Sequence, residues 1–156
     1  MLWTPGNSQS PWSPGESGGG GGGDVDFIEK SMSGAQGSIS TGTVIAFDTV
    51  ERSRGDLGGA GNQFTGLKAG RTYLLIAQYR TTSGSFTALN WYDVTGAAYL
   101  STQGGVGLAQ STIITHQIWT PSADSILEVR AQLTSGTETT DGFGANATVT
   151  EIGAGR

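Results

Sequence analysis

His116 is the single histidine of the chain and the first side chain to consider as a catalyst. A general base needs an oriented partner and a nucleophile or water within reach. The neighbouring Thr115 and Gln117 are typical of a strand rather than of a catalytic loop. We therefore expect His116 to lie on a sheet face or at an interface, and we predict no catalytic residue.

An acidic cluster, Asp24, Asp26 and Glu29, follows a run of glycines. Calcium prefers oxygen ligands, but this spacing does not match the calcium loop of a helix–loop–helix motif. The cluster indicates a solvated junction, or a charge match to a basic patch on a partner, and we predict no metal site and no cofactor. Three other carboxylates fit turns or strand ends: Asp93, Asp124 and Asp141.

The composition of the 156 residues excludes several classes of protein. There is no cysteine, which excludes disulfides and thiolate zinc sites. Only eight residues are Lys or Arg and the net charge is −5, which argues against binding to nucleic acid. No apolar run is long enough to span a membrane, and the N-terminus does not have the pattern of a signal peptide. We expect a soluble, non-enzymatic chain that is made in the cytoplasm of its host.

Residues 1–37 differ in composition from the rest, with three prolines, many serines and six consecutive glycines at 18–23. Such a segment should not fold alone, because ordering it costs more entropy than its few apolar groups can offset. We predict an extended N-terminal arm over 1–37 that is anchored to a partner through its apolar side chains, although folding back onto its own domain stays open. The predicted anchors are Trp3, Trp12, Phe27 and Ile28.

Residues 38–156 contain about eight short segments of strand character separated by turns, with no convincing helix between them. This pattern predicts one head domain with an all-β fold, an antiparallel jelly-roll sandwich. The predicted strands are 43–47, a short strand at Phe64, 71–80, 86–94, 97–100, 112–119, 125–133 and 143–152.

The predicted strand 71–80 is apolar on both faces. One side carries Tyr73, Leu75, Ala77 and Tyr79, and the other carries Leu74 and Ile76. A strand that is apolar on both sides of a small sandwich needs a second cover, and an identical subunit can provide it. We predict self-association through this sheet, with these interface residues: Tyr73, Leu74, Ile76, Tyr79, Trp91 and Tyr92.

The segment from Asn62 to Leu75, which reads NQFTGLKAGRTYLL, resembles the globular heads of the complement/tumour-necrosis-factor superfamily. In that superfamily a Phe-Thr start leads through a turn to Gly-x-Tyr and an apolar strand. The segments 44–50 and 141–145 resemble its opening and closing strands, although the second is offset by one residue. The resemblance, over about residues 40–153, implies a jelly roll that assembles as a homotrimer and has no catalytic activity.

The same type of head occurs in bacteriophage virion proteins, and the richness of this chain in Gly, Ser, Thr and Ala agrees with that group. The sequence leads us to expect a trimeric capsid decoration (cement) protein on the virion surface, with the major capsid protein as its partner. The alternative is a tail-fibre tip or adaptor that binds a host receptor or glycan through aromatic side chains such as Trp91, Tyr92 and Tyr99. A soluble lectin-like or signalling module is a further alternative.

Overall fold

The computed structural model describes residues 25–83, 86–101, 104–108, 110–134 and 138–154, and their regular secondary structure consists of β-strands. No helix in these ranges is long and apolar enough to cross a membrane. The strands are β1 (Phe27–Ser31), β2 (Gln36–Ile39), β3 (Thr49–Arg54), β4 (Gly58–Ala60), β5 (Gln63–Leu67), β6 (Arg71–Ser83), β7 (Phe86–Asp93), β8 (Ala98–Tyr99), β9 (Gly105–Leu108), β10 (Thr112–Trp119), β11 (Ser125–Thr134), β12 (Glu138–Thr140) and β13 (Asn146–Ala154).

The strands form two antiparallel sheets that face each other as a sandwich. Sheet I has the order β2-β12-β6-β13-β1-β3, and β10 pairs with the other edge of β6. Sheet II has the order β4-β5-β11-β7-β8, with β9 also paired to β7. The chain passes repeatedly from one sheet to the other, which is the connectivity of a jelly roll. The all-β fold class that the sequence predicted is therefore confirmed.

Alternating side chains build the core between the sheets. Along β6, Tyr73, Leu75, Ala77 and Tyr79 are all buried, while the residues between them point outward. On sheet II, Trp91 packs edge-to-face against Phe64, with ring centroids 5.2 Å apart. The strands that the sequence predicted at 71–80, 112–119 and 125–133 all form, because their period of two matches a half-buried sheet.

The predicted strand at 43–47 is present only as an extended segment that pairs with β11. The Ile45 N–H donates to the Val129 carbonyl at 2.8 Å, and the Ala131 N–H donates to the Thr43 carbonyl at 2.9 Å. One bridge, from Val44 to Arg130, is formed. The segment therefore extends sheet II without becoming a regular strand.

The predicted domain boundary after residue 37 falls inside the head. β1 lies between β13 and β3 and contributes the buried Ile28 to the core, while β2 pairs with β12 at the edge of sheet I. Residues 27–37 were assigned to the arm because the glycines and prolines before them dominate the composition of the whole segment. The remainder of the predicted arm, residues 1–24, lies outside the described residues.

Candidate functional site

The outward face of sheet I carries a row of large side chains across four strands. Ile118 on β10 lies opposite Leu74 on β6, and Thr150 on β13 lies opposite Leu74 on its other side. Phe27 on β1 continues the row opposite Thr150. Residues paired in this way point to the same face of a sheet, so this row forms a continuous, largely apolar strip.

A second row lies one pleat further along the same face. His116 on β10 is opposite Ile76 on β6, and Thr148 follows on β13. His116 is exposed on the sheet, as the sequence predicted. The third row begins with Ile114 opposite Gln78, so the face becomes more polar away from the first row.

Two isoleucines on this face are more than half exposed. The exposed fractions are 52% for Ile114 and 65% for Ile118, while Leu74 and Ile76 are half-buried between neighbouring strands. Single exposed apolar side chains are normal, but a connected group of them on one face is typical of an interaction surface. We name this surface the outward face, defined by Phe27, Leu74, Ile76, Ile114 and Ile118.

An open groove continues the outward face at the start of β10. It has a volume of about 410 Å³ and is lined by Gln78, Arg80, Thr112 and Phe143, among others. Phe143 is 77% exposed and lies in the turn before β13. At the opposite edge of the sheet, the Arg52 Nε donates to Glu29 at 2.8 Å. The face therefore has an apolar centre and charged groups at its edges, which is the usual arrangement of an interface.

Four of the six predicted interface residues do not lie on the outward face, and three of these are buried. Tyr73, Tyr79 and Trp91 are buried inside their own protomer, so they cannot contact a second one. Burial also raises the pKa of Tyr73, whose hydroxyl oxygen accepts the Lys68 N–H at 2.8 Å. The error has a simple cause, because periodicity shows which residues share a face but not which face is inside.

Leu74 and Ile76 lie on the outward face, but Tyr92 lies on the opposite side of the molecule. Its ring contacts Tyr99 edge-to-face at 5.1 Å, and the Arg130 guanidinium lies 3.5 Å from the Tyr92 centroid. Arg130 also pairs with Glu128, which is only 5% exposed. These stacked side chains cover the outer face of this part of β11.

The four predicted arm anchors divide into two groups. Ile28 is fully buried in the core, so its assignment as an anchor to a partner was wrong, while Phe27 is half-buried on the outward face. Trp3 and Trp12 lie outside the described residues. Their predicted role as anchors stays a prediction.

The carboxylates of the acidic cluster that follows the glycine run accept hydrogen bonds from a backbone N–H and from an arginine. Asp26 accepts the Asp56 N–H at 3.1 Å, and Glu29 is held by Arg52 as described above. Asp24 lies outside the described residues. Among the residues that the structure describes, no group of three or more His, Cys, Asp or Glu side chains could hold a metal ion.

The other carboxylates occupy turns, as the sequence predicted. Asp93 accepts the Thr95 N–H and Asp141 accepts the Phe143 N–H, each at 3.0 Å. The pKa of Asp124 is lowered by the Ala69 N–H, which donates to it at 3.0 Å, and by the hydrogen bond from Lys68 at 2.9 Å. Asp124 thereby fastens the loop between β10 and β11 to the start of β6.

Two isoleucines that contribute most to the outward face were not predicted from the sequence. Ile114 and Ile118 lie on β10 with His116 between them, and Ile113 on the same strand points inward. The sequence of β10 did contain a signal for this surface. A strand that places isoleucine on both of its faces indicates that its outer face is also covered by a partner.

Comparisons with known proteins find similarity of structure and not of sequence. No family model matches the chain, and no curated protein matches it. Among solved structures, murine APRIL superimposes with a TM-score of 0.65 and 12% identity, covering 83% of this chain and 100% of that chain. A tumour necrosis factor from S. frugiperda, Eiger, gives 0.56 and 12%, covering 85% of this chain and 94% of that chain. The globular domain of zebrafish complement 1qA gives 0.53 and 8%, with coverages of 81% and 94%.

These similarities define the class of the head, which is a jelly roll like those of tumour necrosis factor and complement 1q. The resemblance that the sequence of 62–75 indicated is confirmed at the level of fold. At 8–12% identity the likeness carries the fold alone.

Proposed function

We propose that this chain is a non-enzymatic structural protein whose head forms a homotrimer through the outward face of sheet I, and that it decorates the exterior of a virion capsid. The observation that carries the proposal is the apolar row from Ile118 through Leu74 to Phe27, which has no cover within the described protomer. Burial of such a strip yields about 25 cal/mol per Å² of apolar surface, so a second copy is a favourable cover.

The trimeric assembly is supported by two independent lines. The outward face joins an apolar centre to charged edges, which suits contact with another copy of the same chain. The resemblance of the sequence to the complement/tumour-necrosis-factor superfamily implies a three-fold arrangement.

The capsid role is supported by the tryptophans ahead of the head. Trp3 and Trp12 are large apolar anchors, and a trimer would carry three pairs of them. Tethered contacts of this kind raise the effective concentration at a surface and so strengthen attachment. The lack of cysteine agrees with synthesis in the reducing cytoplasm of a host.

The assembly is tested by placing a charge on the outward face. We expect Ile118→Asp to shift the full chain from trimer to monomer in sedimentation, because a carboxylate cannot be buried in an apolar contact without a partner. The matched control is Val106→Asp on β9 of sheet II, where Val106 is 58% exposed. A trimer that survives Ile118→Asp, or a wild-type chain that sediments as a monomer at micromolar concentration, would refute the assembly.

The capsid role is tested by binding to purified capsids that lack the chain. We expect saturable binding in many copies per particle, and loss of occupancy when Trp3 and Trp12 are both replaced by Ala. The double variant should remain trimeric, so failure of attachment is distinguishable from failure of assembly. Recovery of the chain in only a few copies at the tail would instead support the fibre-tip alternative.

A further inference from the structure

A groove at one end of the sandwich, separate from the outward face, has the features of a small-molecule site. It lies between the end of β7 with its following turn and the end of β10 with its following loop, and its volume is about 360 Å³. This volume lies within the range of ~300–1,000 Å³ that small-molecule sites occupy. We name it the end groove; it is lined by Asp93, Thr95, Gly96, Ala98, Leu100, Trp119, Thr120, Ser122, Ala123 and Ser125.

Two apolar side chains that line the end groove, Leu100 and Trp119, are continuous with the core. Trp119 is on the inward side of β10, following the buried Ile113 and Thr115 at intervals of two residues. Trp119 and Leu100 are both partly exposed and both pack against the core cluster. The groove therefore combines one accessible indole with an aliphatic neighbour.

Both walls of the end groove are fixed before any ligand arrives. The Gln117 side chain donates to the Leu100 carbonyl at 3.0 Å and so ties β10 of sheet I to sheet II. The Ile126 N–H donates to the Thr95 hydroxyl at 3.1 Å, which holds the turn after β7. The facing loop is held by Asp124, as described above. A site whose walls are already ordered loses less entropy on binding.

The end groove is also lined by polar side chains. Asp93 uses Oδ1 for the Thr95 N–H, and within the described part of the chain its Oδ2 accepts no hydrogen bond. A Cβ at position 96 would stand 2.6 Å from that Oδ2, so Gly96 leaves the space that this oxygen occupies. The Thr120 hydroxyl makes a hydrogen bond of 2.8 Å with the Thr72 hydroxyl. A hydroxyl group can donate one hydrogen bond and accept two, so Thr120 retains capacity for a ligand.

We infer that the end groove binds a neutral pyranose sugar. A pyranose ring has an apolar C–H face that packs on an indole, and vicinal hydroxyls that donate to a carboxylate. Asp93 and Trp119 supply this pair of partners, and the threonine and serine hydroxyls of the rim suit the remaining sugar hydroxyls. None of the residues that line the groove is basic, so an acidic sugar would meet the Asp93 carboxylate without a compensating cation. This inference does not depend on the proposed capsid role.

The test is a titration of the full chain with methyl glycosides of glucose, galactose, mannose and N-acetylglucosamine, each also offered as the terminal residue of an oligosaccharide. We expect at least one neutral sugar to shift the indole N–H resonance of Trp119, which Trp119→Phe identifies by its disappearance. A response to the methyl glycoside supports a site for one ring, and a response to the oligosaccharide alone supports a site for a chain end.

Two variants separate binding from folding. Asp93→Asn keeps an acceptor for the Thr95 N–H but removes the charge, and we expect the association constant to fall about tenfold. Asp141→Asn changes the same type of turn outside the groove and should leave the association constant unchanged. Trp119→Phe should retain part of the binding, measured by calorimetry, and Trp119→Ala should abolish it.

Three outcomes would overturn the inference. One is the absence of any response from Trp119 to every neutral sugar in the panel. Another is binding that Asp93→Asn and Trp119→Ala leave intact. The third is a response only to N-acetylneuraminic acid or to tetramethylammonium, which would assign the groove to an anionic sugar or to a cation.

Discussion

A lysine side chain is enclosed in the core where β1 passes the turn between β4 and β5. Lys30 has no exposed surface, and its ammonium donates to the carbonyls of Gly61 and Gln63, the latter at 3.0 Å. The same nitrogen lies 5.0 Å from the centroid of the Phe64 ring. A buried charge is tolerated here because carbonyl oxygens and an aromatic face replace water around it.

Burial lowers the pKa of Lys30 from its ordinary value of 10.5, although the charge of Asp48 partly opposes this. The unfolded chain therefore binds a proton more tightly than the folded one. The stability contributed by this shift is fully present above pH 10.5 and is lost as the pH falls through the lowered pKa.

We accordingly predict that Lys30→Met, which keeps an unbranched apolar stem, changes the dependence of stability on pH. The free energy of unfolding of the wild type minus that of the variant should rise with pH between the lowered pKa and 10.5, as measured by urea denaturation at a series of pH values. Tyr73 and Tyr99, whose pKa values are raised by burial, are present in both proteins and cancel in the difference. Parallel curves for the two proteins would contradict this expectation.

At the scale of elements, β5 approaches the residues before β4 so closely that position 66 has no room for a side chain. Gly66 has a φ of +85°, and a Cβ there would lie 2.1 Å from the carbonyl oxygen of Asp56. Gly70 has a similar φ of +74°, but a Cβ there would meet nothing within 4 Å. The two positions share the same backbone preference and differ only in the space around them.

We therefore predict that replacing Gly66 and Gly70 by alanine lowers the stability of the protein by different amounts. Gly70→Ala should cost about 1–2 kcal/mol, the usual strain of a left-handed residue with a side chain. Gly66→Ala should cost clearly more, because backbone atoms must move to accept the methyl group. Thermal and urea unfolding of both variants measure the difference, and equal losses would mean that the β4–β5 region adapts freely.

The strands that could be predicted from sequence are those whose own residues carry the pattern. β6, β10 and β11 could be predicted because apolar and polar positions alternate along them. β1 has only five residues and follows a glycine run, and its partner β13 is more than a hundred residues away in sequence. Its pairing depends on tertiary contacts, which local composition does not record.

The candidate sites were predictable to a smaller extent for a related reason. The alternation of β6 separates Leu74 and Ile76 from the other side of the strand, but which side points outward required the packing of the two sheets. The place of Ile118 beside Leu74 required the register between β10 and β6. The end groove was not predictable at all. Asp93 and Trp119 come together only through the packing of the two sheets, and their spacing in sequence carries no signal.

At the scale of the whole molecule, the core that the structure describes is built from residues of the head, beginning with Ile28 on β1. We predict that a chain starting at residue 25 unfolds cooperatively and self-associates like the full chain. A chain starting at residue 38 should fail to fold, because it lacks β1 and β2 and exposes the pairing edge of β13.

The free energy lost with β1 is large enough to support the expectation that the shorter chain fails to fold. Loss of the buried Ile28 alone costs about 2–5 kcal/mol, a large fraction of the ~5–15 kcal/mol that stabilise a typical domain. Circular dichroism and sedimentation of the two truncated chains provide the measurement. A folded chain from residue 38 would show that β1 is dispensable and would restore the originally predicted boundary.

The position of β1 between β3 and β13 has a consequence for biosynthesis. β1 pairs with β13, which lies more than a hundred residues later in the chain, so this part of sheet I cannot close until β13 has been synthesised. Folding that depends on such distant pairings is slow, and the polypeptide between the two strands must remain soluble until they meet.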